Sequence, residues 1–322
     1  MLEAVGPAEI ASARARLAGV VARTPVVRCA AAAADRPVHL KLENLQPAGS
    51  FKVRPIANAM LSRPPGALRA GVHTFSSGNS ALAMAWMAKR IGVAATAVVP
   101  EGAPESKLAL LRALDARIVS QAFSQWWSGV TSPHPPHYDS VYIDAVRDPA
   151  AFAGNGAIAL EILEDLPQVE AIFVPFGGGG LACGIANAVR TSGSAAKVIV
   201  CELDSAHPFK SACEAGGPVE SRCDPGFVTG VGFGSVLEEM WPVASRLIDE
   251  CLTVSMSEVI HAIRLLAEGN KVIAEGAGAI PVAAALSKRH RFTTVCAVVS
   301  GGNLDSALLA KILRGERITV SQ

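Results

Sequence analysis

The sequence predicts an α/β fold with largely parallel sheets, on three observations. Short β-rich runs alternate with helix-patterned segments along the chain, and several of those runs stop directly at glycine-rich or polar stretches that open a helix. Half of the 322 residues are hydrophobic, with charged residues at 18% and aromatics at 5%. Alternation of this kind builds strand-helix-strand units, and the apolar content suffices for two packed lobes while excluding a disordered chain.

The strands are read in order as "VHLKLE" from 38, "GVHTFSS" from 71, "ATAVVP" from 95, "AIFVPF" from 171, "KVIVCEL" from 197 and "TTVCAVVS" from 293. Each is a short apolar run rich in β-branched residues and bounded by turn signals. No internal repeat is visible. The stretch "SPHPPHYDS", 132 to 140, is a loop because its prolines break regular structure. Its His134 and His137 form an H-x-x-H pair without a third ligand, which does not make a metal site.

Composition narrows the partner. Lysine plus arginine number 29 against 28 acids, so no net field draws the protein to nucleic acid or an anionic membrane, and a small molecule is expected. The seven cysteines (Cys29, Cys183, Cys201, Cys213, Cys223, Cys251, Cys296) are odd in number and widely spaced, with no C-x-x-C pair. They read as buried small hydrophobes in a reducing compartment. The opening "MLEAVGPAEIASARARL" carries acids where a signal peptide needs a basic and then an apolar run. No apolar stretch reaches the roughly 18 to 20 residues of a membrane span, so a cytoplasmic location is expected.

Three junctions carry chemistry. In "VPFGGGGLACGIANAVR", 174 to 190, a strand runs into Gly177, Gly178, Gly179 and Gly180 and then a helix. The glycines let the backbone turn sharply and aim its N–H groups inward, and the helix N-terminus adds positive potential, so the loop suits a phosphate; a plain flexible turn is the alternative. It is neither a P-loop nor a dinucleotide fingerprint, since no G-K-[ST] and no G-x-G-x-x-G spacing follow. In "TFSSGNSALAMAWMAKRIG", 74 to 92, residues Ser76, Ser77, Gly78, Asn79 and Ser80 open a helix and offer either ordinary caps or a receptor for a carboxylate. In "TVCAVVSGGNLD", a buried strand delivers Ser300 to its carboxyl end, where the hydroxyl meets a ligand ring nitrogen or satisfies the turn.

Lys52, in "PAGSFKVRPIANAM", supplies one amine to that set. Phosphate cup, carboxylate receptor, polar group at a strand end and amine are the parts that pyridoxal phosphate chemistry needs, because the cofactor presents a phosphate, a ring nitrogen, a phenolic oxygen and an aldehyde for a lysine to capture.

The chain resembles fold-type II pyridoxal phosphate enzymes (tryptophan synthase β-like), in the threonine/serine dehydratase and serine racemase branch. The matching stretches run in the family's order: "TPVVR", "KLENLQPAGSFKVR", "SSGNSA", "VVPEGAPESK", "AGNGAIALEIL", "VPFGGGGLACGIA", "IAEGAGAIPVAAAL" and "VVSGGN". The resemblance implies two domains, each a mostly parallel twisted sheet flanked by helices: a large cofactor-binding domain from 1–65 and 147–322, and a small mobile domain at 66–146. It further implies a homodimer acting on a small amino-acid substrate.

Carried over by residue, the resemblance makes Lys52 the Schiff-base lysine, with Phe51 beside it in the cofactor site. Asn79 becomes the partner of the phenolic oxygen, and the amides of Gly177, Gly178, Gly179, Gly180 and Leu181 cradle the phosphate. Ser300 bonds the ring nitrogen, and Glu275 is the acid of the E-x-x-G segment near the ring. A serine cannot protonate that nitrogen as an aspartate would, so elimination of a β-substituent fits better than transamination. The implied reaction holds the substrate carboxylate on the loop from Ser76 to Ser80, removes the α-proton with freed Lys52, and expels the β-hydroxyl to yield a 2-oxo acid and ammonia. In the racemase branch a serine at the position of Ser77 returns a proton on the opposite face, which keeps racemisation as the rival. A catalytically idle amino-acid-binding module is the reading of another class, and the intact Lys52 argues against it.

Three departures bear on the substrate. Ser80 stands where the family usually has histidine, which leaves space for a bulkier substrate. The segment "SQAFSQWWSGVTSPHPPHY" departs from the family, and its Trp126 and Trp127 either pack the lobe or line an aromatic pocket; neighbours on a helix face different ways, so at most one is expected to reach a ligand. An aromatic pocket favours a β-aryl substrate such as L-threo-3-phenylserine, with Phe233 as a further lining residue. In "CELDSAHP", Glu202 and the Ala206 carbonyl match the family's divalent-cation site, but Pro208 replaces an acid ligand, so no tight divalent site is expected and only a weaker monovalent cation remains an option. Arg54 is assigned to no catalytic role, and Gly230 and Gly232 either let a backbone segment approach the cofactor or form ordinary turns.

Overall fold

Apolar runs with both faces to bury become central parallel strands, and in this chain they sort into two sheets. The computed structural model describes residues 5–136 and 138–318. Its strands are β1 (Val26–Arg28), β2 (Val38–Lys41), β3 (Val72–Phe75), β4 (Ala95–Pro100), β5 (Arg117–Gln121), β6 (Val141–Tyr142), β7 (Ala171–Pro175), β8 (Lys197–Leu203), β9 (Glu250–Val254) and β10 (Val295–Val298). The six-stranded sheet has the order β1-β2-β10-β7-β8-β9, and the four-stranded sheet the order β5-β4-β3-β6. Every pairing is parallel except that of the edge strand β1 with β2.

All six strands read from the sequence form, and β1, β5, β6 and β9 are additions. The six-stranded sheet draws on both ends of the chain, while the four-stranded sheet comes from residues 72 to 142. The helix Gly276–Leu286 is apolar all round, and its residues from Gly276 to Ala285 are buried against the strands of the larger sheet. Helix Pro149–Asp165 lies against helix Gly180–Thr191, and a Cβ at Gly184 would come within 2.6 Å of Asn155 Cβ. This close approach fixes where the second helix begins, and with it the glycine loop.

Four cysteines are buried as expected, but Cys213 and Cys223 are exposed and Cys251 is intermediate. The sequence reading of all seven as core residues is corrected there: Cys213 sits near the C-terminus of the short helix Pro208–Ala215 and Cys223 in an irregular segment, neither of which a sheet covers. The stretch from 132 to 140 forms no regular element among its described residues, and His137 lies outside the described residues. No helix among the described residues is long and apolar enough to cross a membrane.

Candidate active site

The carboxyl ends of β3, β6, β7 and β10 converge on one cleft of about 460 Å³, a size and position typical of ligand sites in open α/β sheets. Lys52, Ser76, Ser77, Gly78, Asn79 and Ser80 line it, together with the glycine loop, Leu181, Glu275 and Ser300. The structure therefore brings together every catalytic, cofactor and substrate residue expected from the sequence; Phe51 lines the same cleft, with Lys52 Nζ 5.1 Å from its ring centroid.

Lys52 precedes helix Val53–Leu61 as its N-cap residue. Its loop is stitched to the end of β10 by Phe51 N–H donating to the Ser300 carbonyl at 2.9 Å and Gly302 N–H donating to the Gly49 carbonyl at 2.9 Å. The amine makes no hydrogen bond within the described residues. Burial pushes its pKa down to about 8, against the opposing charges of Asp144 and Glu275. An amine so poised is a usable nucleophile and base near neutrality.

Helix Asn79–Ile91 begins without a side-chain cap at Gly78. The Ser76 hydroxyl instead accepts from the Gly78 amide at 3.1 Å, and the amides of Asn79 and Ser80 meet no acceptor among the described residues. Capping is thus not how this end is satisfied, and the open amides at a positive helix terminus suit a carboxylate. The side chains of Ser77 and Ser80 make no hydrogen bond among the described residues.

The glycine loop shows why glycine is needed. Gly179 has φ +86°, a Cβ on Gly177 would overlap the Gly230 carbonyl, and one on Gly180 would lie 3.2 Å from Val146 Cα. No acceptor among the described residues takes the amides of Gly177, Gly178, Gly179, Gly180 or Leu181. Five unpaired amides at the N-terminus of a twelve-residue helix fit a phosphate group, so the donor set suits the cofactor implied by the resemblance. Gly230 has φ +87° with open space where a Cβ would stand, which is the requirement of a turn, whereas a Cβ at Gly232 would lie 2.8 Å from Pro225 Cγ.

Glu275 is 6% exposed, and burial pushes its pKa up to about 7 although the Asn79 amide donates to it at 2.6 Å. Gly301 has no room for a side chain, because a Cβ there would overlap Glu275 Oε1. Ser300 is 2% exposed at the end of β10.

Several contributors escaped the sequence reading. Asp144, after the two-residue β6, lines the cleft with its carboxylate fixed by Val146 N–H at 2.8 Å, Arg147 N–H at 3.0 Å and Arg147 Nη1 at 3.2 Å. Asn155 donates to the Gly180 carbonyl at 3.0 Å and holds the glycine loop from below; "AGNGAIALEIL" was its only signal. Arg54 is 1% exposed and forms a buried cluster with Glu43, Glu161 and Lys41, out of the cleft and behind Lys52.

The candidate cation ligands lead elsewhere. Both carboxylate oxygens of Glu202 are taken, accepting at 2.9 Å from the amides of Phe209 and Lys210 at the start of helix Pro208–Ala215. Glu202 therefore satisfies the helix end whose entry Pro208 occupies. No group of three or more metal-ligating side chains occurs among the described residues.

Comparison with known proteins agrees with this geometry. The family described as "Pyridoxal-phosphate dependent enzyme" matches residues 17–301. The L-threonine ammonia-lyase of Geobacter sulfurreducens is 34% identical over 86% of this chain and 70% of its own. The L-threonine dehydratase catabolic TdcB of Staphylococcus aureus is 32% identical over 95% of this chain and 91% of its own. Maize serine racemase superposes with a TM-score of 0.86 at 28% identity, covering 97% of this chain and 98% of the racemase. The family match takes in both sheets and every residue of the cleft named above, and the chain belongs to the pyridoxal-phosphate dependent enzymes, of fold type II.

Proposed function

We propose that this protein dehydrates and deaminates a β-hydroxy-L-amino acid to a 2-oxo acid and ammonia, with a bulky β-aryl substrate such as L-threo-3-phenylserine preferred. The observation that carries the reading is the placement of one amine of lowered pKa, Lys52, in the same cleft as a helix end with open amides and a glycine loop with open amides. The relatives named threonine ammonia-lyase and threonine dehydratase support the reaction class.

When bound, pyridoxal phosphate supplies the electron sink that lets an α-proton leave and a β-substituent depart. The chain's residues do the rest. Amides of Gly177, Gly178, Gly179, Gly180 and Leu181 would hold the phosphate, Ser300 would bond the ring nitrogen, and Asn79 with Glu275 would serve the phenolic oxygen. The loop from Ser76 to Ser80 orients the substrate carboxylate through the Asn79 and Ser80 amides. Lys52, neutral once its proton is lost near pH 8, takes the α-proton at Nζ. The segment from 66 to 146 acts as the smaller lobe and closes over the cleft to exclude water.

The rival is racemisation, favoured by one observation: the Ser77 hydroxyl lines the cleft and makes no hydrogen bond among the described residues. The test incubates the cofactor-loaded protein with L-threo-3-phenylserine, L-threonine and L-serine and assays 2-oxo acid and ammonia, with Lys52→Ala as control. Release of both products, fastest from phenylserine and lost in the variant, is the expected result. Recovery of both enantiomers without oxo acid would replace the proposal with a racemase.

A further inference from the structure

The cleft carries an aromatic wall that binding the cofactor does not require. Trp126 and Trp127 are neighbours in helix Phe123–Thr131, and the structure gives them different tasks. Trp126 Nε1–H donates to the Val98 carbonyl at 3.1 Å, which ties that ring to β4. The indole N–H of Trp127 has no partner among the described residues, and its ring lies 5.5 Å from Phe233 at 42°.

Phe233 comes from the segment between β8 and β9, so the two rings reach the cleft from opposite sheets. Phe233 also flanks the glycine loop, its Cζ 3.8 Å from where a Gly178 Cβ would stand. Helix Phe123–Thr131 is held in place at its far end, where Arg147 Nη2 donates to the Thr131 carbonyl at 2.6 Å. Gly78 lines the same cleft, and a Cβ there would meet nothing within 4 Å, so there is open space beside that helix end. Phe123 stacks on Trp127 at 6.1 Å and 7°, and Trp126 lies 5.9 Å from it, so Trp127 and Phe233 form the end of an aromatic cluster, and a further ring extends such a cluster favourably at centroid separations of about 4.5 to 7 Å.

We propose that Trp127 and Phe233 are the specificity-determining residues of this cleft, forming a tilted aromatic corner that receives a planar apolar side chain of the amino-acid substrate. The inference rests on the cleft being an amino-acid site and deepens that reading. Trp126 also lines the cleft, but its N–H is committed to β4, and Trp127 is the member of the pair assigned to the substrate.

The test titrates the cofactor-loaded protein with L-phenylalanine and L-alanine, which have no β-hydroxyl to expel, and follows the cofactor absorbance band. The wild type is expected to bind L-phenylalanine on the order of tenfold tighter than L-alanine. Trp127→Ala and Phe233→Ala should each remove most of that preference by weakening L-phenylalanine far more than L-alanine, and Trp127→Phe should keep most of it. Equal weakening toward both ligands, or no preference in the wild type, overturns the proposal. Because neither ligand turns over, the binding ratio reads the corner even if no hydroxy amino acid yields oxo acid, which would sink only the dehydratase reading.

Discussion

Asn79 and Glu275 are joined by a 2.6 Å hydrogen bond from the Asn79 amide to Glu275 Oε1, and Asn303 donates in turn to Asn79 Oδ1 at 2.7 Å. The chain of bonds links the start of helix Asn79–Ile91 to the N-cap residue of helix Gly276–Leu286 and to the loop after β10. Asn79→Ala removes the side-chain donor of a buried carboxyl, which raises its pKa further above 7 and leaves an unsatisfied acceptor costing about 1 to 3 kcal/mol. Equilibrium dialysis should show cofactor affinity down by roughly tenfold or more. Glu275→Gln keeps an acceptor for Asn79 and should lose less. Equal affinities in the wild type and Asn79→Ala would show that the bridge does not organise the cofactor site.

Lys52 and Asp144 make a second prediction, on pH. Burial drives the amine down to about 8 while Asp144 and Glu275 hold it up. Removing one negative charge must therefore lower the pKa further. In Asp144→Asn the neutral amine is present at lower pH, and the acidic limb of kcat, which reports the amine freed in the substrate complex, should move to lower pH by about half a unit or more. An unmoved limb, or one shifted to higher pH, would remove Asp144 from the electrostatics of the lysine.

The sequence announced what strands and punctuation announce. All five residues of β7 and all four of β10 are buried, so they read as continuous apolar runs, and each ends at the glycine or serine that faces the cleft. The edge strands β5 and β9 are mostly half-exposed and carry mixed residues, and β6 is two residues long, so their signals were too weak. Asp144 was illegible for the same reason: an acid after a two-residue strand looks like any solvated turn. The division of labour between Trp126 and Trp127 depends on which carbonyl and which ring lie nearby in space, and no linear pattern contains that.

Arg54 makes the strongest stability prediction. Its guanidinium donates to Glu43 through Nε and Nη2 at 2.8 Å each and to Glu161 through Nη1 at 2.8 Å and Nη2 at 2.7 Å. Lys41 Nζ completes the balance at 2.5 Å from Glu161. Two buried acids against two buried cations are tolerable only together, so Arg54→Ala should cost about 3 to 5 kcal/mol in denaturant unfolding. Arg54→Lys should recover only part, because an ammonium cannot span both carboxylates in a planar fork. A loss below about 1 kcal/mol would mean that the acids simply take up protons and the network is not needed.

Glu202 makes the last prediction, on stability against pH. The carboxyl is 1% exposed, and burial pushes its pKa up to about 7 even though the amides of Phe209 and Lys210 donate to it and Cys251 Sγ lies 3.4 Å away as a further donor. An unfolded glutamate titrates near 4.3, so the folded state binds this proton more tightly than the unfolded state. The stability it contributes is complete below the unfolded value and is lost as pH rises through about 7, on the order of 3 kcal/mol at most by linkage. Glu202→Gln abolishes the titration, so its unfolding free energy should fall less than that of the wild type between pH 5 and pH 8. The variant turns a donor toward one of the two amides, leaves that amide without an acceptor and starts lower by about 1 to 3 kcal/mol, which is why the comparison is of slopes rather than heights. Glu275 acts with the same sign and remains in both proteins, so it cancels in the difference. Parallel urea-unfolding curves across that range would show that Glu202 is already ionised in its cap at pH 5, with the two amide bonds outweighing burial.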